Sequence, residues 1–268
     1  MPTLMPIGGA IDQENPALIS EFIRRSGCEQ ARVVILPQAS ELADTGETYK
    51  QQFLKLGAAQ ASVLEFRSRD LANAAENLEP LRHASGIFIT GGTQMRLSAL
   101  FGGTLFEQEL LVAYQRGCLV GGTSAGASIL SKTMIAYGRG GPTPRERIIQ
   151  FSPGLGFTDR FIIDQHFRQR DRLGRLIYAV TCHPGVIGLG LDENTAVVLE
   201  DDDRLTVYGS GAVTVVDGSQ ISASDIAEVQ SRGAVAVAGL TVHVLTQHST
   251  YQRSTRSANL PLRALKNN

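Results

Sequence analysis

The stretch CLVGGTSAGASIL, residues 118–130, joins a short apolar run to a second apolar segment through a cluster of small residues. A run that is apolar on both faces, such as 118–122, is typical of a buried strand in a parallel sheet. The pattern G-x-S-x-G follows it, with Ser124 at the centre, and a sharp strand-to-helix turn needs small residues of this kind. By itself the motif fits either a serine nucleophile or a structural turn.

Six further runs of this kind flank the motif, and helical patterns separate many of them. The runs are LMPIGG (4–9), ARVVILPQ (31–38), SVLEF (62–66), GIFITGG (86–92), DRFIID (159–164) and IGLGLD (187–192). The helical patterns are ENPALISEFIRRSG (14–27), TGETYKQQFLKLGA (45–58), TLFEQELLVAYQRG (104–117) and RDRLGRLIYAV (170–180). This alternation predicts an α/β fold, a doubly wound and mainly parallel sheet sandwiched by helices, in one domain over residues 1–268.

The character of the sequence changes after about residue 195. Residues 195–218 read as β-hairpins, with one turn at 201–203 and a second at the Gly-Ser-Gly of 209–211. The segment 241–251 reads as a late strand, and the tail after about residue 250 is expected to be peripheral and mobile. Upstream, YGRGGPTPRERI (137–148) is a loop rich in glycine and proline, a type that is often functional in compact domains.

The bulk composition argues against several classes of protein. A formal net charge of -1 over 268 residues gives no electrostatic case for nucleic acid or an anionic membrane as partner. No apolar run approaches the ~20 residues of a membrane helix, and no secretory signal is visible. Three scattered cysteines indicate free thiols in a reducing compartment. We expect a cytoplasmic protein without a cofactor or metal, because no His, Cys and Asp cluster has metal-ligand spacing.

A second glycine loop, ITGGTQ (89–94), ends the strand that precedes the serine motif. Its glycines serve either a plain turn or the close approach of backbone to a ligand. In a parallel sheet this loop and the serine loop open at the same edge, where ligands bind. The backbone amides of Gly92 and Ala125 are then candidate donors of an oxyanion hole for a reaction at Ser124.

A serine nucleophile needs a base, and the base needs a group that orients it. Among five histidines, His166 differs because it closely follows an apolar run that ends at Asp164, which places it at the same predicted edge. Glu193 ends the glycine-rich run GLGLDENTA (188–196) and either belongs to a plain acidic turn or accepts the second imidazole proton. The chain order Ser124, His166, Glu193 differs from the serine, acid, histidine order of α/β-hydrolases.

A dense basic series follows His166 and is unusual for its position at the predicted ligand edge. A charge run of this kind is either a solvated helix face or a site for anions, because guanidinium groups bind carboxylates bidentately. Its members are Arg168, Arg170, Arg172 and Arg175.

Five stretches, in order over most of the chain, resemble the cyanophycinases. These are serine peptidases of the dipeptidase E-like group with a class I glutamine amidotransferase-like α/β sandwich. The most specific stretch is DQHF followed by R-x-R-x-x-R, whereas G-x-S-x-G fits many hydrolases. The five are FITGGTQ (88–94), GGTSAGASIL (121–130), TPRERIIQFSPGLGF (143–157), DQHFRQRDRLGRL (164–176) and GLGLDENTAVV (188–198).

The resemblance implies a triad of Ser124 as nucleophile, His166 as general base and then acid, and Glu193 as orienting carboxylate. It implies exo-cleavage of the polyaspartate backbone of cyanophycin, a storage polymer with arginine on each β-carboxyl. The products would be β-Asp-Arg dipeptides, and the enzyme a homodimer. Asp164 would either bind the substrate guanidinium or steady an arginine. The implied substrate contacts are Gln94, Asp164, Gln165, Arg170, Arg172 and Arg175.

Three other interpretations fit parts of the sequence. A related peptidase could cleave other β-aspartyl or N-terminal aspartyl dipeptides. A binding module without catalysis could use the same arginines to hold an acidic ligand. An α/β-hydrolase esterase would instead take a late histidine, His243 or His248, as its base.

Overall fold

The computed structural model describes residues 2–201 and 203–261, and within them it contains seven α-helices and seventeen strands. The helices are α1 (Ala17–Arg25), α2 (Thr45–Lys55), α3 (Ala75–His83), α4 (Gln94–Phe101), α5 (Leu105–Gln115), α6 (Ala125–Ser128) and α7 (Leu173–Cys182). The first nine strands are β1 (Thr3–Ile7), β2 (Arg32–Leu36), β3 (Gln60–Val63), β4 (Gly86–Ile89), β5 (Leu119–Thr123), β6 (Thr133–Gly138), β7 (Ile149–Pro153), β8 (Phe161–Asp164) and β9 (Ile187–Leu191). The others are β10 (Thr195–Glu200), β11 (Arg204–Gly209), β12 (Val213–Asp217), β13 (Ala223–Ser224), β14 (Val237–Ala238), β15 (Thr241–Leu245), β16 (Thr250–Gln252) and β17 (Ser257–Asn259).

The main sheet has nine strands in the order β17-β16-β11-β10-β1-β5-β4-β2-β3. The five strands from β1 to β3 in this order are mutually parallel, and the rest of the sheet is antiparallel. Because parallel strands finish at one edge, Ile7 of β1 and Thr123 of β5 are register partners, as are Ile89 and Gly122. The predicted α/β class and its mainly parallel core are confirmed.

Helices cover both faces of this sheet. On one face α1 and α2 pack through Phe22 and Phe53, whose rings contact Phe88 of β4 at centroid distances of 5.4 and 5.3 Å. On the other face the buried residues of α3, α4 and α5 form a single core with the main sheet and with a four-stranded sheet described below. Side chains alternate between the two cores along β2. Val33 and Ile35 face the core that contains Phe22, whereas Val34 and Leu36 face the opposite core.

The later strands depart from the expectation of one sheet. β8 and β9 are a parallel pair, but they belong to a second sheet in the order β15-β12-β9-β8. Two glycines of β9 allow close packing against this sheet. A Cβ at Gly188 would collide with Leu176 of α7, and a Cβ at Gly190 would collide with the Phe167 ring. Helix α7 therefore lies close against β9 and covers the second sheet.

The predicted hairpins are half right. β10 and β11 pair antiparallel around 201–203 as expected. The Gly-Ser-Gly of 209–211 does not close a second hairpin, because β12 pairs with β9 and β15 in the other sheet. The late strand predicted over 241–251 is likewise split between the sheets, since β15 pairs with β12 and β16 with β11.

The C-terminal segment contributes two strands to the edge of the main sheet. β16 places Tyr251 in a fully buried position, and β17 pairs with β16. The segment up to Asn259 is thus built into the sheet rather than mobile, whereas residues 262–268 of the predicted tail lie outside the described residues. Within the described chain, no helix has the length and apolar character needed to cross a membrane.

Candidate active site

Ser124 occupies the turn between β5 and α6. Its backbone has φ 54° and ψ -111°, a conformation that costs a residue with a side chain on the order of 1–3 kcal/mol. The turn is fixed by the amide of Ser124, which donates to the carbonyl of Ile7 at 3.0 Å. Gly122 and Gly126 both lie against the carbonyl oxygen of Ile89, which a Cβ at either position would strike. The small residues of the motif are therefore a steric requirement of the turn.

His166 is brought to the serine from the second sheet. It follows β8 with φ 46°, and its amide donates to the carbonyl of Gly8 at 2.7 Å. The imidazole packs on Gly9, where a Cβ would lie 2.5 Å from Nε2 and closer still to Cε1. Sequence reasoning missed the role of Gly8 and Gly9. Their signal is a glycine pair directly after the first buried strand.

Glu193 completes a continuous line of hydrogen bonds. His166 Nε2 lies 2.9 Å from Ser124 Oγ, and His166 Nδ1 lies 2.6 Å from Glu193 Oε1. With the proton on Nδ1 donated to the carboxylate, the lone pair on Nε2 faces the serine hydroxyl. The amide of Glu193 donates to Gln169 Oε1 at 3.1 Å, an anchor that sequence reasoning also missed.

The electrostatic setting keeps the imidazole neutral. Burial lowers the pKa of His166 below its usual value of 6.5, and the positive charges of Arg170 and Arg172 act in the same direction. The hydrogen bond to Glu193 opposes them and raises that pKa without overcoming the burial. A neutral histidine that already faces a hydroxyl is equipped to accept its proton.

Two of the predicted arginines are buried with Asp164 beside the serine. Arg175 Nε donates to Asp164 Oδ2 at 2.7 Å, and Arg175 Nη2 bonds Oδ1. Arg172 Nη1 lies 3.3 Å from Oδ1 and also donates to the carbonyl of Gln165. Burial lowers the pKa of Arg172 to about 10, although the Asp164 charge raises it, so the guanidinium remains protonated at neutral pH. Asp164 thus contacts the arginines here, one of its two predicted roles.

These arginines line a cavity of about 390 Å³ that opens on Ser124, which we call the arginine cavity. Arg170, Arg172 and Arg175 bring three positive charges to its wall, and Asp164 offsets only one of them. Its remaining wall includes Gln165, whose Oε1 lies 3.5 Å from Ser124 Oγ. The excess of positive charge suits carboxylate ligands.

A second cavity of about 640 Å³ also opens on Ser124. Ser124, Gly92 and Thr93 line both cavities, so the hydroxyl stands where the two meet. Gly92 has φ 138°, and its close packing on the carbonyl of Ala39 leaves no space for a side chain. A ligand at the serine can therefore extend into both cavities, as an extended chain cut in its backbone must do.

Comparison with known proteins assigns the family. The model of peptidase family S51 matches residues 4–207. The chain belongs to peptidase family S51. A cyanophycinase of Trichormus variabilis is 35% identical over 257 residues, which cover 94% of this chain and 86% of the relative. Cyanophycinases of Synechococcus elongatus and Geminocystis herdmanii are 35% and 34% identical, each over 94% of this chain, and cover 79% and 94% of the relatives.

Solved structures agree with this S51 assignment at the level of fold. A peptidase from an acI-B1 Actinobacterium superposes with a TM-score of 0.66 at 21% identity, over 93% of this chain and 96% of that one. A putative peptidase E protein from Listeria monocytogenes gives 0.54 at 17% identity, over 79% and 100%. The predicted resemblance and the serine-type peptidase class are confirmed.

Of the remaining candidates in this S51 peptidase, Gln94 lines the arginine cavity, whereas Arg168, His243 and His248 do not. Gln94 Nε2 donates to the carbonyls of Ile135 and Ala136 at 3.1 and 2.8 Å, so it secures β6 as a wall of the arginine cavity. Arg168 uses its amide to bond Asp192 and does not line that cavity. His243 and His248 contact the rings of Tyr251 and Tyr208 at centroid distances of 5.4 and 5.8 Å. The hydroxyl of Ser124 faces His166. The esterase interpretation requires a late histidine at this place, so this geometry does not support it.

Proposed function

We propose that this S51 peptidase hydrolyses the polyaspartate backbone of cyanophycin and releases β-Asp-Arg dipeptides as an exopeptidase. The observation that carries the proposal is the position of the Ser124–His166–Glu193 line at the mouth of the arginine cavity. Relatives named cyanophycinase, similar over 94% of this chain, support the same substrate.

The chemistry begins at the serine hydroxyl. Ser124 Oγ attacks the carbonyl carbon of the scissile aspartyl bond while His166 Nε2 accepts its proton. Glu193 accepts the hydrogen bond from Nδ1–H of His166 and stabilises the imidazolium that forms. The tetrahedral oxygen receives hydrogen bonds from the amides of Ala125 and Gly92, the predicted oxyanion donors. Ala125 opens α6, so its amide has no acceptor within the helix.

Breakdown of this intermediate yields an acyl-enzyme. The carbon–nitrogen bond breaks, and the departing amine takes the proton from His166 Nε2. A water molecule then attacks the ester carbon, with the neutral His166 again accepting a proton. Collapse returns that proton to Ser124 Oγ and frees the aspartyl carboxylate. The low pKa of His166 favours both steps, because each starts from the neutral ring.

Recognition follows from the charge of the polymer unit. Each unit carries a free carboxylate and a guanidinium at the end of its arginyl branch. Arg170 and Arg172 offer forks to the carboxylate, and each charge-assisted hydrogen bond contributes about 1.5–3 kcal/mol. Asp164 acts as a positioning residue that keeps Arg172 and Arg175 in place. The other unit beside the scissile bond occupies the cavity that Glu41 and Tyr49 line.

The substrate assignment is tested by comparing the products from two classes of substrate. The wild-type enzyme is given insoluble cyanophycin and, separately, simple β-aspartyl and N-terminal aspartyl dipeptides, and products are separated by chromatography. We expect soluble β-Asp-Arg from the polymer and slow cleavage of the dipeptides. Brisk dipeptide cleavage without release from the polymer would assign a related aspartyl dipeptidase instead. The homodimer stays a prediction, which light scattering in solution tests.

A further inference from the structure

A third cavity lies next to the arginine cavity and takes no part in the chemistry above. It measures about 430 Å³ and is formed by the loop between β6 and β7 together with Arg232, and we call it the loop cavity. This loop is residues 139–148 of the glycine- and proline-rich segment 137–148, whose first two residues belong to β6. The two cavities share Tyr137 and Gly138 as lining residues, so they adjoin each other.

The loop cavity carries a large excess of positive charge. Four arginines line it, Arg139, Arg145, Arg147 and Arg232, against the single carboxylate of Glu146. That carboxylate is already engaged, because Oε1 pairs with Arg147 at 3.1 Å and Oε2 accepts the amide of Arg232 at 2.9 Å. Among the described residues, the guanidinium groups of Arg139 and Arg232 have no carboxylate partner. Cations gathered without counter-charges predict an anionic ligand.

The loop is held in shape rather than left free. The amide of Glu146 donates to the carbonyl of Gly233 at 3.0 Å, and the amide of Val235 donates to the carbonyl of Pro144 at 2.9 Å. The hydroxyl of Tyr178, on α7, accepts the amide of Arg147 at 3.2 Å. The arginines are therefore mounted on a supported backbone, so fewer degrees of freedom are lost when a ligand binds.

The same loop is tied to the arginine cavity. The amide of Gly174, in the first turn of α7, donates to the carbonyl of Gly141 at 2.9 Å. Gly140 packs so closely on the carbonyl of Arg170 that a Cβ there has no space. Tyr137 stands between the two cavities with about 55% of its surface exposed, which leaves a ring face for a guanidinium to stack on.

We propose that the loop cavity binds the arginyl branch of a further repeat unit of the polymer, beyond the two units that flank the scissile bond. Its branch carboxylate is held by Arg139, Arg145 and Arg232, and its guanidinium stacks on Tyr137. This proposal rests on the proposed function, because it takes the repeat of that polymer as the ligand. The site selects chains of three or more units over the shortest cleavable chain.

The test compares two substrates of different length. One is a two-unit (β-Asp-Arg)₂ chain, which fills only the sites beside Ser124, and the other is a soluble chain of ten units. The variant is Arg139→Glu, because the backbone bond of Arg139 to Ile148 survives the change. The matched control is Arg204→Glu, an exposed arginine that pairs with Glu200 in the β10–β11 ladder. Glu200 in turn pairs with Thr3 at the amino end of β1, away from Ser124.

We expect Arg139→Glu to lower kcat/KM on the ten-unit chain about tenfold or more, mainly through KM, and to leave the two-unit chain unaffected. Arg204→Glu should alter neither substrate. Equal kinetics of Arg139→Glu and wild type on both chains would overturn the proposal, and so would an equal loss on both. Failure of the proposed function is distinguishable, because the wild type would then cleave neither chain to β-Asp-Arg.

Discussion

Gly9 is the position where adding a single methyl group should remove most of the activity while the protein still folds. A Cβ at residue 9 would lie 2.5 Å from His166 Nε2, and the nearest ring atom is closer. The ring must withdraw by roughly 1 Å to restore ordinary contact, since carbon atoms rest about 3.5–4 Å apart. The bond from Nε2 to Ser124 Oγ, now 2.9 Å, would then be lost. A displacement of about 1 Å costs on the order of 100-fold in rate.

Gly57→Ala is the matched control, because it produces the same backbone strain away from the site. Gly9 has φ 109°, so any side chain there also strains the main chain by roughly 1–2 kcal/mol. Gly57 has φ 98°, and no atom lies within 4 Å of the place that a Cβ would take, so Gly57→Ala carries the same strain without touching the site. We expect both variants to melt at a lower temperature than the wild type, and only Gly9→Ala to lose about 100-fold in kcat.

The assay measures kcat on a soluble two-unit substrate beside thermal unfolding followed by circular dichroism. A folded Gly9→Ala enzyme with kcat within about twofold of Gly57→Ala would refute the reasoning. It would mean that the imidazole does not depend on the space above Gly9. A variant that fails to fold is recognised by its unfolding curve, and kcat of Gly9→Ala and Gly57→Ala is then compared at a lower temperature at which both are folded.

Three further predictions concern the charged groups around His166. The acid limb of kcat/KM against pH should have its midpoint below 6.5, because burial lowers the pKa of His166 and activity is lost as the ring is protonated. Arg170→Ala removes a positive charge that lowers this pKa, so the limb should move to higher pH, and a shift to lower pH would contradict the assignment. Arg172→Lys keeps the charge but loses the fork that bonds Asp164 and Gln165, so kcat/KM should fall about tenfold or more with the fold intact. Unchanged kinetics would remove Arg172 from the substrate site.

Much of the site could be predicted from the sequence because its side chains sit at the ends of strands. Ser124 follows β5, His166 follows β8 and Glu193 follows β9, and each strand is an apolar run that local pattern reveals. The resemblance to a known family then predicts that these three residues act together as a triad. The buried strands β4 and β5 could also be predicted from the sequence, since they are apolar on both faces.

The parts that could not be predicted depend on contacts between distant segments. The amide of His166 bonds the carbonyl of Gly8, in a remote part of the chain, and no local pattern encodes that meeting. The assignment of β8 and β9 to a second sheet is of the same kind, because the run itself does not say which neighbours it pairs with. Helix α3 escaped prediction for a local reason, since Pro80 lies inside it and proline ordinarily ends a helix.

The role of Ser124 is tested most directly by product analysis on cyanophycin with the wild type and Ser124→Ala side by side. The wild type should release β-Asp-Arg, and Ser124→Ala should bind the polymer yet release none. A serine-directed reagent should add its mass to the wild type alone. Release of β-Asp-Arg by Ser124→Ala at the wild-type rate would contradict the proposed acyl-enzyme and the triad built on it.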